Sequence, residues 1–434
     1  MRALSLVVST ALLGCSAEPG GILLGADESD ASSDTDAGVL PGRDAGDVAD
    51  AAPGADGGVE EPRPEPTGCS ATESRALCRL ENAADWELAE RAGVADQGGA
   101  IALDPAGLVE GSDEIGDYNG GAFVYGALVS APLEPGIGFD QAVVSWNAET
   151  PGGTWIAIAA SCRIGNEWTG WYRLGVWASA QSDLVRHSFD GEADGHGRVL
   201  TDTVALNSPA DAIRIRATLF SVDGIASPRL RRLAAALSAT SAPRAADEGG
   251  QAWGTILDVV ERSQMVYPDG GEVWCSPTST SMVMAYWART EGRQEWELPV
   301  PTVAQGTWDE VYGGNGNWPF NVAYASSVGL DGVVAAFASI GEIEPWIAAG
   351  VPVVVSAQWG PGELDDAPIS STDGHLLVVT GFEADGDVTV NDPAAASDQE
   401  VGRVYDRRQI EAAWLGGSGG IVYLMFPPGR PVPW

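Results

Sequence analysis

One cysteine stands directly in front of a strong helix start, within the stretch Gly270 to Thr280. Ser276 can cap a helix and Pro277 suits its first turn, and apolar residues recur after them at helical spacing. A thiol at a helix N-terminus faces the positive end of the helix dipole, which favours the thiolate, the nucleophilic form. Cys275 is therefore a candidate nucleophile, and a small buried core residue is the alternative interpretation.

A cysteine nucleophile also needs a base, a group that orients the base, and donors for the oxyanion. His375, the only histidine of the C-terminal half, stands at the start of an apolar, strand-like run. Asp392 ends the next strand, so a hairpin would bring its carboxylate to the imidazole. Gln264, eleven residues before Cys275, is the first candidate oxyanion donor, and Gln251 is the second. A packed or surface histidine and a plain turn aspartate are the alternatives.

Three blocks carry a resemblance to a known family: Glu272–Ser279, Gly374–Phe382 and Val390–Pro393. They resemble the papain-like cysteine peptidases of the bacteriocin-processing, double-glycine-leader type, and more narrowly their exported, stand-alone bacterial relatives. The resemblance covers about Gly254 to Phe426 and implies a papain-like α+β fold. It implies that Cys275 is the nucleophile, His375 the base and Asp392 the group that orients the base. It also implies that Gln264 is the oxyanion donor. The family often has Asp-Cys-Gly at the nucleophile, where this chain has Trp-Cys-Ser.

The composition narrows the classes of function. The chain has 434 residues, enough for two or three domains, and its 61 acidic against 23 basic residues give a formal charge of −38. Such a charge repels phosphates, so we expect no nucleic-acid partner. Lysine is absent from the sequence, which excludes a lysine base or Schiff base. The chemistry outlined above needs no metal or cofactor, and we expect none.

The N-terminus predicts export. Residues 1–15 read as a secretory signal ending in Leu12-Leu13-Gly14-Cys15, which resembles the lipobox of bacterial lipoproteins, with Cys15 as the lipidated residue. An ordinary secretory signal is the alternative. Residues 16–68 are rich in Asp, Ala, Gly and Pro and predict a disordered acidic tether. We therefore expect a lipid-anchored protein of the cell envelope or cell surface, with the outer membrane favoured.

Two globular regions are predicted to follow the tether. Short alternating strands over residues 69–240 predict an all-β, sandwich-like accessory domain. Cys69 and Cys78 form a local disulfide in the simplest interpretation, and a partnership with Cys162 is the alternative. Five tryptophans of this domain would be core residues or, alternatively, a face that contacts glycan or peptide: Trp146, Trp155, Trp168, Trp171 and Trp177. Residues 239–250 are a predicted linker, and residues 250–434 mix helices and strands as in an α+β domain.

Together these features predict an exported, membrane-tethered cysteine peptidase that hydrolyses peptide or protein substrates through a Cys-His-Asp triad and an acyl-enzyme. An amidase acting on cell-wall peptides is one alternative, because papain-like triads serve both reactions. A non-catalytic surface lipoprotein that binds glycan or protein is the other.

Overall fold

A computed structural model describes residues 65–179, 184, 186–242, 246, 247 and 249–434. The predicted signal peptide, its lipobox Cys15 and the tether up to residue 64 lie outside these residues. The described residues belong to one compact unit, in which the first strand begins at Gly68. In that described part, no helix is long and apolar enough to cross a membrane.

The N-terminal region is β-rich. It contains one short helix, α1 (Ala83–Glu87), and the strands β1 (Gly68–Ala71), β2 (Arg75–Leu80), β3 (Glu90–Ala92), β4 (Val94–Asp96), β5 (Ile101–Leu103), β6 (Val109–Ser112), β7 (Ala122–Val129), β8 (Phe139–Glu149), β9 (Thr154–Ile164), β10 (Glu167–Trp168), β11 (Tyr172–Trp177), β12 (His187–Ser188), β13 (Gly197–Leu200), β14 (Thr203–Ala210), β15 (Ala212–Ser221) and β16 (Arg229–Ser238).

These strands form two sheets of eight strands each among the described residues. The first sheet runs β1-β2-β16-β8-β14-β13, with β5 also paired to β16 and β4 to β5. The second runs β12-β11-β9-β15-β7-β3, with β10 paired to β9 and β6 to β7. Side chains of both sheets, among them Val144, Leu233, Ile158 and Ile215, belong to one apolar core, so the β-rich architecture expected from the sequence is present.

Strand β15 shows why the sequence reads as sheet. Ile213, Ile215 and Ala217 are fully buried, while Arg214 and Arg216 between them keep partial exposure. Successive side chains of a strand point to opposite faces, so this alternation places one face in the core and the other in water. The predicted buried and wet faces of this strand are confirmed.

Three of these five tryptophans are core residues, as is Trp86, the sixth tryptophan of the β-rich region. Trp146, Trp155 and Trp177 are each at most 1% exposed, which removes them from any surface that could contact glycan. Trp146 and Trp177 instead pack against Phe320 of the C-terminal region, with ring centroids 6.0 and 5.2 Å away. These aromatic contacts join the two regions through apolar burial.

The other two tryptophans, Trp168 and Trp171, lie half-buried beside arginines. The guanidinium carbon of Arg214 is 3.9 Å from the ring centroid of Trp168 and 5.2 Å from that of Trp171. Such stacking is a cation–π arrangement. The prediction of a glycan contact by the β-rich region therefore rests on these two rings alone.

A disulfide joins Cys69 and Cys78, which stand opposite each other in the β1–β2 ladder. Cys162 lies in β9 and takes no part in it, so the alternative partnership of Cys162 is wrong. Burial raises the pKa of the Cys162 thiol to about 12, as expected for a thiol in an apolar core. Cys162 is thus a structural residue.

The C-terminal region mixes helices with one sheet. Its elements are α2 (Cys275–Glu291), α3 (Val300–Thr307), α4 (Trp318–Ser327), β17 (Asp331–Ala336), α5 (Glu344–Ala348), β18 (Val353–Trp359), β19 (Thr372–Phe382), β20 (Val388–Asn391), β21 (Gly402–Tyr405), α6 (Arg407–Gly417) and β22 (Ile421–Phe426). The sheet runs β17-β22-β18-β19-β20-β21, and every neighbouring pair is antiparallel. This mixed α/β arrangement agrees with the α+β class expected from the sequence.

Candidate active site

Cys275 is the first residue of helix α2, and the residue before it, Trp274, is the N-cap. The first turn closes where the Thr278 amide donates to the Trp274 carbonyl at 3.0 Å. The helix therefore starts two residues earlier than the sequence suggested, and Ser276 is not its cap: its hydroxyl lies 3.0 Å from the Tyr423 hydroxyl. Cys275 stands at the positive end of the helix dipole, where a thiolate is favoured.

The strand pair β19 and β20 brings His375 to Asp392. His375 lies in β19, and Asp392 follows the last residue of β20, whose Asn391 pairs with Val378. The His375 Nε2 atom is 2.7 Å from Asp392 Oδ1, and both side chains are buried. The hairpin expected from the sequence thus produces the histidine–carboxylate contact.

A hydrogen bond holds the first turn of α2 against the strand that carries His375. The Ser279 hydroxyl donates to the Leu376 carbonyl at 3.0 Å. Ser279 is four residues after Cys275, so the two side chains share one face of the helix. Leu376 is the residue after His375. This hydrogen bond therefore holds the helix face that carries Cys275 against the strand that carries His375.

Three donors hold the Asp392 carboxylate. Besides His375, the Ala394 amide donates to Oδ1 at 2.9 Å and the Tyr405 hydroxyl donates to Oδ2 at 2.7 Å. Burial works to raise the pKa of Asp392, but the charge of His375 and these hydrogen bonds outweigh it and hold the pKa below its ordinary value. Asp392 is therefore an ionised, fixed acceptor that can orient the imidazole.

Tyr405 is the residue of this group that sequence analysis missed. It ends β21 and is completely buried. Burial and the neighbouring Asp392 carboxylate raise the pKa of Tyr405 far above its ordinary value, so its hydroxyl keeps its proton and donates. The signal in the sequence was a tyrosine thirteen residues after the aspartate, at the end of an alternating run. Only the pairing of β21 with β20 in the structure shows that this tyrosine belongs to the group.

Gln264 lies between the two loops that frame the site. Its backbone amide donates to the Pro393 carbonyl at 2.9 Å, and its side-chain Nε2 donates to the Glu272 carbonyl at 2.9 Å, three residues before Cys275. A Cβ atom on Gly271 would lie 2.2 Å from the Gln264 carbonyl oxygen, so only glycine fits there. Gln264 is buried beside the loop that precedes Cys275, whereas Gln251 is exposed.

Trp359 covers part of this group. Its ring meets the His375 imidazole edge-on, with centroids 5.6 Å apart, and its Nε1 donates to the Ile369 carbonyl at 3.2 Å. Cys275 and His375 are each 1% exposed. A low-dielectric surrounding of this kind strengthens the electrostatic interaction between His375 and Asp392.

The described residues include no group of three or more His, Cys, Asp or Glu side chains that could hold a metal ion. The chemistry available to the group built here is that of a thiol, an imidazole, a carboxylate and a buried amide. That set suits attack on a carbonyl carbon by a thiolate.

Comparison with protein families gives two matches. Residues 76–238 match the model described as Peptidase C39 N-terminal domain, and residues 256–420 match the model described as Peptidase_C39 like family. No curated protein shows a significant match to the chain. The second match supports a peptidase of the cysteine type, with a peptide or protein as substrate. It spans Gln264, Cys275, His375, Asp392 and Tyr405.

Proposed function

We propose that this chain, with its two matches to C39 peptidase domains, is a cysteine peptidase of papain-like fold. Cys275 is its nucleophile, His375 its base and Asp392 the group that orients the base. The observation that carries the proposal is the buried contact of 2.7 Å between His375 Nε2 and Asp392 Oδ1. It stands beside the N-terminus of the helix that begins with Cys275.

The proposed reaction begins with transfer of the thiol proton from Cys275 to Nδ1 of His375, while Nε2–H stays bonded to Asp392. The thiolate adds to the carbonyl carbon of the scissile peptide, and the tetrahedral intermediate carries the charge on oxygen. The imidazolium then gives its proton to the leaving amine, and the C–N bond breaks to leave a thioester. Water, deprotonated by His375, hydrolyses the thioester and returns the thiol.

Donors for the oxyanion are available on both sides of the nucleophile. The backbone N–H of Cys275 is one of the amides that a helix leaves without an intrahelical acceptor. The Gln264 amide uses one of its two hydrogens on the Glu272 carbonyl and has a second for the substrate. Removing one donor from an enzyme's oxyanion hole typically costs about 3 kcal/mol of transition-state stabilisation.

The proposed activity is tested with a proteome-derived peptide library incubated with the full chain, its Cys275→Ala variant and a Cys162→Ala control. We expect the wild type and Cys162→Ala to cleave the same peptides and Cys275→Ala to cleave none. Cys162 is a suitable control because it is also buried and outside the disulfide, but lies in β9. Cleavage by Cys275→Ala, or its absence with the wild type, would overturn the proposal.

The proposed location is the cell envelope, with the protein exported and anchored by lipid on Cys15 and the segment 16–68 as spacer. The lipobox-like end of the N-terminal segment supports this, and so does the Cys69–Cys78 disulfide, since disulfides persist in oxidising compartments. In a bacterial host that processes lipoproteins, Cys15→Ser should release the protein from the membrane fraction. Retention of that variant in the membrane would argue against the anchor.

A further inference from the structure

The chain between α3 and α4, residues 308–317, is held by the β-rich region, and we call it the 308–317 loop. The Ser188 amide donates to Asp309 Oδ1 at 3.0 Å, and the Glu310 amide donates to the Arg186 carbonyl at 3.0 Å. At the end of the loop, the amide of Trp318 donates to Asp202 Oδ2 at 2.7 Å. Strand β12 and the turn between β13 and β14 therefore hold both ends of this loop.

The same loop is tied to the helix of the proposed nucleophile. The Asn321 side-chain amide donates to the carbonyls of Asn315 and Asn317 at 2.8 and 2.9 Å. Its oxygen accepts a hydrogen bond of 3.1 Å from the Thr280 hydroxyl, five residues after Cys275 on α2. These four polar side chains are at most 3% exposed, so each must find its partner inside the protein.

Asp202 is a buried carboxyl group of the β-rich region, and the series of contacts through the 308–317 loop to α2 begins with it. It is 7% exposed and follows Thr201, whose φ of 54° places it in the left-handed region of the tight turn. The Thr203 hydroxyl donates to its Oδ1 at 3.1 Å. Burial is the main cause that raises its pKa to about 7, and the charge of Asp309 adds to this.

Tyr423 shows how near these groups are to the proposed site. Burial raises the pKa of Tyr423 well above its ordinary value, and the charges of Asp202, Cys275 and Tyr312 raise it further. Its hydroxyl is also the partner of Ser276. The buried Tyr423 hydroxyl therefore interacts with groups from three parts of the protein: the β-rich region, the 308–317 loop and the start of α2.

We propose that Asp202 is a positioning residue through which the β-rich region holds the 308–317 loop and, through Asn321 and Thr280, the nucleophile helix. This inference rests on the proposed peptidase function of Cys275. It gives the N-terminal region a role in peptide cleavage. Without the Asp202 turn, the Trp318 amide loses its acceptor, and the loop loses one of the hydrogen bonds that hold it in place.

The test compares Asp202→Ala, Asp202→Asn and the control Asp140→Ala in the full chain. Asp140 accepts hydrogen bonds from the amide and the hydroxyl of Thr240, at 2.8 and 2.7 Å, so it makes the same kinds of bond in the same region. Asp202→Asn keeps an acceptor oxygen for the Trp318 amide, whereas Asp202→Ala removes it. The readouts are hydrogen exchange of residues 308–317 and the values of kcat and KM on a cleaved library peptide.

We expect Asp202→Ala to exchange faster than wild type over residues 308–317 and to lose about tenfold or more in kcat with little change in KM. Asp202→Asn should stay within about threefold of the wild-type kcat, because one acceptor remains. Asp140→Ala should match the wild type in both readouts. Wild-type exchange and kcat in Asp202→Ala, or equal losses in Asp140→Ala, would overturn the inference.

Two further comparisons decide the result if a variant does not fold or if the proposed function fails. If Asp202→Ala does not fold, Asp202→Asn carries the test at pH 8, where the wild-type carboxyl is charged. A neutral amide oxygen is a weaker acceptor for the Trp318 amide than a carboxylate, so residues 308–317 must exchange faster in Asp202→Asn than in the wild type. If the wild type cleaves nothing, the proposed function fails on its own, and hydrogen exchange of the 308–317 loop still decides whether Asp202 holds it. Unchanged exchange in every folded Asp202 variant would overturn the inference.

Discussion

The Tyr405 hydroxyl donates to the Asp392 oxygen that His375 does not use, at 2.7 Å. The carboxylate is therefore held on both oxygens by side chains from two different strands, β19 and β21. An acceptor fixed in this way keeps the imidazole in one orientation and one tautomer. The pairing of β21 with β20 is thus part of the proposed site.

Replacing Tyr405 with Phe should weaken the site through Asp392. The hydrogen bonds lower the pKa of Asp392, so removing one of them raises that pKa and protonates the carboxyl at a higher pH. A hydrogen bond to a charged group contributes about 1.5–3 kcal/mol, so kcat should fall by about tenfold or more. The acid limb of the kcat/KM profile should move to higher pH.

The control for this change is Tyr286→Phe, because the Tyr286 hydroxyl donates to the Gly350 carbonyl at 3.0 Å and takes no part in the proposed site. Tyr286→Phe should keep the wild-type pH profile. An acid limb that does not move in Tyr405→Phe would show that the hydroxyl does not tune Asp392.

Replacing Asp392 itself should act on turnover and not on substrate binding. Asp392→Asn keeps the shape but removes the charge that orients and stabilises His375 in its protonated form. We expect kcat to fall by about a hundredfold or more and KM to change little. The control is Asp385→Asn in the turn of the same hairpin, which is exposed and should leave both constants unchanged. A wild-type kcat in Asp392→Asn would remove this residue from the proposed triad.

The contact between His375 and Asp392 could be predicted because it depends on neighbouring strands of one hairpin, β19 and β20. Alternating apolar residues and an Asp-Gly-Asp turn are short-range signals for such a hairpin. Tyr405 could not be predicted, since its position depends on the next strand in the sheet. The same holds for Ser276, which pairs with Tyr423, 147 residues away, and so does not cap the helix.

Strand β16 shows a second limit of sequence analysis. Its run Leu-Ala-Ala-Ala-Leu lacks β-branched and aromatic residues, so it has little strand propensity. The structure places it between β2 and β8, where pairing on both sides and burial override propensity. The hydrogen bond from the Trp318 amide to Asp202 could not be predicted either, because the two residues are 116 positions apart in the sequence.

Gly271 should tolerate no side chain. A Cβ there would meet the Gln264 carbonyl at 2.2 Å and would push apart the loop before Cys275 and the proposed oxyanion donor. Overpacking of this kind costs about 1–3 kcal/mol of folding free energy, so Gly271→Ala should lower both Tm and kcat. Gly416→Ala is the control, because a Cβ there meets nothing within 4 Å inside helix α6, and this change should leave Tm equal or higher. A wild-type Tm in Gly271→Ala would contradict the close approach.

Asp202 should make stability fall as the pH rises towards 7. Its pKa is raised to about 7 in the folded protein, so between about pH 4 and pH 7 the folded state binds a proton that the unfolded state has released. The protonated form therefore stabilises the fold at low pH, and this contribution is lost as the pH passes the folded pKa. The loss from pH 5 to pH 8 is about 2–3 kcal/mol.

The measurement is thermal or denaturant unfolding of wild type and Asp202→Asn at pH 5 and pH 8. Asn cannot ionise, so the stability of the wild type relative to the variant should be lower at pH 8 than at pH 5. Other titrating groups cancel in this difference because both chains share them. A difference that stays the same at the two pH values would contradict a raised pKa for Asp202.

Labelling with thiol reagents separates Cys275 from Cys162 in the folded chain. Burial raises the pKa of Cys162 to about 12, so its thiolate is scarce near neutral pH, whereas Cys275 stands at a helix N-terminus beside the His375 strand. We expect iodoacetamide at pH 7 to label Cys275 but not Cys162, as identified by peptide mapping, and we expect Cys275→Ser to lose that label. Because Cys275 is only 1% exposed, the bulkier E-64 should react more slowly than iodoacetamide. Labelling of Cys162 at the same rate, or of Cys275 no faster than in the denatured chain, would contradict a nucleophilic role for Cys275.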